Sequence, residues 1–204
     1  MQTFNTQRIS LRKEPNLTPK YEALGYQQEA LNSIKDSEYA AVFHEQGLGK
    51  TKIAIDLMFY WLERKLVDTV LFVAKKGLIN NWETEFNKHT FINPKLLTQN
   101  RASNYYVFNS GSRVILTHFE VIKSERERMK LFLETRKVGV ILDESTRIKN
   151  PESDLTQAYF ELAPKFSKRV IMTGTPIANR PHDIWSQVWF LDQGASLGTD
   201  FHAF

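Results

Sequence analysis

Residues 39–51 read YAAVFHEQGLGKT, and the fold turns on this stretch. The apolar run Tyr39 to Phe43 has the length and content of a strand covered on both faces. It runs into a loop with two glycines, Gly47 and Gly49, and then into Lys50 to Arg64, apolar almost all round and therefore a buried helix. Strand, glycine turn and buried helix form the context in which a loop can cradle phosphate. Gly47 and Gly49 let the backbone curl close to phosphate oxygens, so that backbone N–H groups and the helix N-terminus face the anion. Lys50 supplies a point charge for β- and γ-phosphates, and the Thr51 hydroxyl can bind Mg²⁺. The strict pattern G-x-x-x-x-G-K-[ST] fails at its first position, where His44 stands. A glycine-rich turn with an incidental lysine is the competing reading, and the flanking elements weigh against it.

Working outward, four more runs read as strands: Thr69 to Ala74, Val114 to Thr117, Val138 to Leu142 and Arg169 to Met172, with Tyr105 to Phe108 as a further candidate. Helical patterns fill the gaps. Gly77 to Lys88 and Phe119 to Arg136 are amphipathic. Pro151 to Leu162 has Asn150 as its cap, Pro151 at the first helical position and a stripe of Leu155, Ala158, Tyr159 and Leu162. Pro181 opens a last helix with Ile184, Val188 and Leu191 on one face. Residues 1–20 are polar, broken by Pro15 and Pro19, and read as an extended arm, with the domain proper at 21–204. The alternation predicts an α/β fold, a doubly wound and mostly parallel sheet flanked by helices. Ligands of such sheets sit beyond the carboxyl ends of the strands.

A second group of polar residues stands at such an end. VGVILDE places Asp143 and Glu144 after an apolar strand. Burying unpaired charge is costly, so the pair should reach solvent, a partner or a metal. Asp143 is a candidate Mg²⁺ ligand, and Glu144 a candidate base that orients and deprotonates water. A solvated turn is the bland alternative. The segment Thr173-Gly174-Thr175-Pro176 follows the run RVIM and reads as a turn.

Composition narrows the classes. The chain has 204 residues, 42% of them hydrophobic, and a net charge of +4. That is globular composition, and the mild positive excess permits an anionic partner without demanding one. With no cysteine, thiol catalysis and thiolate metal clusters are excluded. The five histidines lack ligand spacing. No apolar run is long enough to span a bilayer, and the first residues do not resemble a signal peptide. The expectation is no membrane partner and a cytoplasmic or nuclear location.

In order, HEQGLGKT, LDESTRIKN and IMTGTPIANRPHDIW resemble the motifs of superfamily-two helicases, and most of all those of the Swi/Snf-like DNA translocases, whose patterns are DEMGLGKT, DEAHRIKN and LTGTPIQN. LGYQQEAL is similar to the family's adenine-reading Q motif, and LFVAKKGLINNWETEF to its motif Ia. The likeness runs from about Tyr21 to Phe204. Departures are His44 for the usual Asp, Lys75 for the proline of motif Ia, and Thr146 for the fourth residue of motif II. The resemblance implies a RecA-like, P-loop NTPase lobe that binds ATP and Mg²⁺. Lys50, Asp143 and Glu144 would be catalytic, with Thr51 and Asp143 on the metal. Gln27, Gln46, Gly47, Leu48, Gly49, Lys50 and Thr51 would hold nucleotide, and Thr146, Thr173 and Thr175 would couple the nucleotide to the DNA side. Lys75, Lys76, Asn80, Thr117, Asn179 and Arg180 would meet nucleic acid.

The family carries a second RecA-like lobe with an arginine finger, so this chain is expected to act with such a lobe in the same or another chain and to be very weakly active alone. The DNA is expected to be duplex and read independently of sequence. An RNA helicase, a restriction-type motor, and a non-hydrolysing DNA- or partner-binding lobe are the other readings. Trp82 reads as a packing residue. Trp185 and Trp189 read as core, or as a surface for the other lobe.

Overall fold

The computed structural model describes residues 14–177 and 180–204. Six strands form one fully parallel sheet: β1 (Tyr39–Val42), β2 (Thr69–Ala74), β3 (Lys95–Leu96), β4 (Val114–His118), β5 (Val138–Asp143) and β6 (Lys168–Met172), in the order β1-β6-β5-β2-β4-β3. Among the described residues eight α-helices cover it: α1 (Gly25–Ile34), α2 (Lys50–Glu63), α3 (Ile79–His89), α4 (Arg101–Asn109), α5 (Phe119–Ser124), α6 (Arg126–Thr135), α7 (Asp154–Leu162) and α8 (Asp183–Asp192). This is the doubly wound α/β architecture expected from the alternation.

The two-residue period of the strands sorts their side chains into two cores. Leu71, Val73, Val140 and Leu142 face α5 to α8, and Val70, Phe72, Ala74 and Ile141 face α1 to α3. Gly139 in β5 is required by the second core: a Cβ there would lie 2.8 Å from the Trp61 ring of α2. That close approach brings α2 under the middle of the sheet, although β1, which feeds it, is an edge strand. The start of α2 is thereby carried toward the end of β5.

Four expectations need correction. Tyr105 to Phe108 lie in helix α4, because Asn100 caps it, its Oδ1 accepting from the N–H groups of Ala102 and Ser103. The local cap outweighs the strand preference of aromatic residues. The single helix expected over Phe119 to Arg136 breaks at Glu125, which is 1% exposed. Its carboxylate turns inward to accept from Asn104 Nδ2 at 3.0 Å and meet Arg128 at 3.4 Å. Helix α7 begins at Asp154, with Ser153 Oγ accepting from Thr156 N–H; Asn150 caps the preceding turn instead, and Pro151 lies in that turn. On α8 the buried residues are Asp183, Trp185, Ser186, Gln187, Phe190 and Leu191, while Ile184 and Val188 are half-buried.

Of the arm, residues 14–20 are described. They lie against the domain: Glu14 pairs with Arg113 at 2.9 Å, and the Lys20 N–H donates to the His89 carbonyl at 2.9 Å. No helix among the described residues is long and apolar enough to cross a membrane.

Candidate functional site

The loop after β1 curls through two left-handed glycines, Gly47 at φ 85° and Gly49 at φ 69°. A Cβ on Gly49 would sit 2.1 Å from Gln27 Nε2 in a left-handed backbone, so any other residue is strained there and displaces Gln27. Gln27 is itself buried, and its Oε1 accepts from the Leu24 N–H at 3.0 Å, fixing it at the head of α1. The Lys50 ammonium donates to the carbonyls of His44 at 2.8 Å and Glu45 at 3.1 Å. It spans its own loop, with its charge at the loop's centre.

Asp143 and Glu144 end β5 beside this loop. A cleft of about 740 Å³ is lined by both, together with Gln27, Gln46, Gly47, Gly49, Lys50 and Thr51. Leu48 is not in this lining and is 42% exposed. The opposite wall is α3, through Asn81, Thr84 and Glu85. Burial pushes the Asp143 carboxyl above its usual range; the Trp82 N–H and the Lys50 charge oppose the rise, and Glu144 adds to it. Burial being the largest cause, the charged form of this acid is poorly solvated in the cleft.

Sequence reasoning missed what holds the acids. The Trp82 indole is packed against Phe72 and Phe86, as a core residue would be, but its Nε1–H also donates to Asp143 Oδ2 at 2.9 Å. A Trp one strand away from an acid carries no sequence signal of that bond. Glu144 adopts the left-handed region at φ 57°, which is uncommon for a residue other than glycine. The Thr173 hydroxyl reaches Glu144 Oε2 at 3.4 Å and accepts from the Thr175 N–H at 3.1 Å. Thr146, half-buried in the 3-10 turn Ser145–Ile148, makes no side-chain hydrogen bond among the described residues. Its neighbour Ser145 does, donating to Gln187 Oε1 at 2.7 Å. Gln187 in turn donates from Nε2 to the Pro176 carbonyl at 2.8 Å.

The candidate nucleic-acid residues scatter. Lys75, Lys76 and Asn80 are exposed where β2 ends and α3 begins. Thr117 is 1% exposed, and its hydroxyl donates to the Leu97 carbonyl at 3.0 Å; it is a sheet residue with no surface to offer a phosphate. Arg180 is exposed, and its N–H donates to Asp183 at 3.4 Å. Asn179 lies outside the described residues. Trp185 is core, 3% exposed, and Trp189 is half-buried, its ring 4.2 Å from that of Phe160.

Comparison with known proteins gives a consistent family. The SNF2-related domain matches residues 26–202. The chain is 30% identical over 190 residues to the probable ATP-dependent DNA helicase CHR12 of Arabidopsis thaliana, covering 88% of this chain and 17% of that protein. It is 30% identical over 181 residues to the ISWI chromatin-remodeling complex ATPase ISW1 of Saccharomyces cerevisiae, covering 81% of this chain and 15% of that protein. The solved Sulfolobus solfataricus SWI2/SNF2 ATPase core in complex with dsDNA is similar at a TM-score of 0.77 and 25% identity, over 94% of this chain and 39% of that one. The chain therefore spans only a small part of these relatives' length. From the extent of the match and the parallel sheet that carries it, this chain belongs to the SNF2-related domain family, as a first RecA-like lobe of the Swi/Snf-like helicase kind.

Proposed function

We propose that residues 21–204 form the ATP-binding lobe of a DNA-dependent ATPase, a helicase or double-stranded-DNA translocase, that uses Mg²⁺ and turns over only when a second RecA-like lobe completes it. One observation carries the reading: the glycine loop after β1 and the acidic pair after β5 open onto one cleft.

The donor set suits magnesium. Among the described residues no group of three or more His, Cys, Asp or Glu could cage a metal. A Thr51 hydroxyl and an Asp143 carboxylate fit an ion that keeps several waters and takes phosphate oxygens as ligands. Once bound, such an ion neutralises charge on the phosphates. The chain's own groups do the rest. Lys50 exchanges its two loop carbonyls for phosphate oxygens, a charge-assisted and therefore stronger bond. Glu144 orients the attacking water and takes its proton. Trp82 keeps Asp143 aimed into the cleft.

No arginine lines the cleft among the described residues. An arginine finger is worth about 10³–10⁵ in rate, or about 4–7 kcal/mol of barrier. A lobe without one binds ATP and hydrolyses it very slowly, which is why a second lobe belongs in the proposal. Titration calorimetry with Mg-ATP tests the core of it: the chain binds, and Lys50→Ala weakens binding about 100-fold, roughly 2.7 kcal/mol. Equal affinity in both proteins would sink the reading.

For DNA, exposed Lys75 and Lys76 offer backbone contacts without sequence information. Removing both, as Lys75→Ala with Lys76→Ala, should weaken binding equally for all sequences. The slope of log affinity against log salt should flatten by about 0.9 for each duplex phosphate that is no longer neutralised. An unchanged slope would remove these lysines from the interface.

A further inference from the structure

We infer that Gln187 of α8 is a positioning residue that sets where the Glu144 carboxylate sits. The inference rests on the reading of the cleft given above and deepens it.

Glu144 occupies a backbone conformation that costs about 1–3 kcal/mol in a residue with a Cβ, so something must hold it there. Its direct link to the turn after β6 is the Thr173 hydroxyl at 3.4 Å, at the outer edge of hydrogen bonding. The better-made connection runs through the next residue. Ser145 and Gln187 are both 0% exposed. Their bond is 2.7 Å, and the second arm of the same amide reaches the Pro176 carbonyl at 2.8 Å. Gln187 also donates to the Asp183 carbonyl one turn back on α8, which fixes the amide's orientation. One buried side chain thus clamps the turn bearing Glu144 to the turn bearing Thr173 and Thr175. Losing the clamp leaves the strained residue tied to the turn after β6, among the described residues, only by the long bond. The family pattern DEAHRIKN has alanine where Ser145 stands, so the motif itself does not ask for a hydroxyl here.

A rigid clamp also predicts that displacement is felt at the other end of the acidic turn, where Trp82 bonds Asp143. The chain has four tryptophans, so the indole N–H resonance of Trp82 can be assigned and followed without nucleotide. The test compares wild type with Gln187→Met, Ser145→Ala and the double variant. Replacing both partners of the Ser145–Gln187 hydrogen bond by apolar groups of similar shape is close to neutral for that pair; the half-buried Pro176 carbonyl loses its donor, so the double variant should fold and melt slightly below wild type. Expected in Gln187→Met and in the double variant are a moved Trp82 resonance, unchanged Mg-ATP affinity by calorimetry, and a single-turnover hydrolysis rate, read in the protein completed with its second lobe, lowered about 10- to 100-fold. A rate that holds in the folded double variant overturns the inference, and so does a rate that falls while the resonance stays still. A wild-type chain that binds no ATP overturns the functional reading instead, and the nucleotide-free resonance tells the two failures apart.

Discussion

The two halves of the cleft are built in opposite ways. The glycine loop after β1 is exposed from Glu45 to Leu48, and Lys50, where the loop enters α2, bonds only to carbonyls of the loop itself. Those bonds must be exchanged when phosphate arrives. The acidic turn after β5 is held from several sides by groups outside it. Trp82 holds Asp143, Gln187 holds Ser145, and Thr173 reaches Glu144. The difference divides the labour. The loop is remade by its ligand, so its residues should govern affinity. The turn is set beforehand by folding, so its residues should govern rate.

The largest effect should come from the turn. Glu144→Gln keeps an acceptor for the Thr173 hydroxyl and removes the base. Turnover by the protein completed with its second lobe should fall about 10²–10⁴-fold, with Mg-ATP affinity retained. A loss of affinity as large as the loss of rate would erase the distinction between the two halves. Next comes Gly49→Ala in the loop. The new Cβ meets Gln27 Nε2 in a left-handed backbone, a strain of about 1–3 kcal/mol. Thermal melting and calorimetry together sharpen the comparison: affinity for Mg-ATP should drop by more than stability does. A variant that melts early yet binds normally would mean that the loop, too, is set by folding.

The smallest effect is a gain. Asp143 has a folded pKa above its ordinary value because it is buried. The native state therefore binds the proton more tightly than the unfolded chain does. The charged acid costs stability at neutral pH, and the cost disappears as pH falls through the raised value toward the ordinary 3.8. Asp143→Asn keeps an oxygen for the Trp82 N–H and removes the charge. It should stabilise the protein by about 1 kcal/mol near neutral pH, with the advantage shrinking as pH is lowered through that window. A constant difference at every pH would mean that burial of charge is not what Asp143 contributes.

Much of this site is legible in the chain because it is local. A strand, a glycine loop and a buried helix are contiguous in sequence, so HEQGLGKT declares both its conformation and its chemistry. The acids are legible for the same reason, since an apolar strand ending in Asp143 and Glu144 needs an explanation. Helix boundaries are less so. At Asn100 and Ser153 the capping side chain decides them, and at Glu125 a buried partner does. Thr117 points to nucleic acid by resemblance alone, and the packing of β3 against β4 buries it.

By itself the sequence determined the alternation of strands and helices, the phosphate-type loop and the pair of carboxylates, because each is written in the spacing and polarity of neighbouring residues. Only the tertiary structure decided that α2 passes beneath β5, so that Lys50 faces Asp143. It alone decided that Trp82 and Gln187, which read as ordinary helix residues, hold the acidic turn. Those contacts join elements far apart in the chain, and hydrogen bonds across such distances follow from packing rather than from any local pattern.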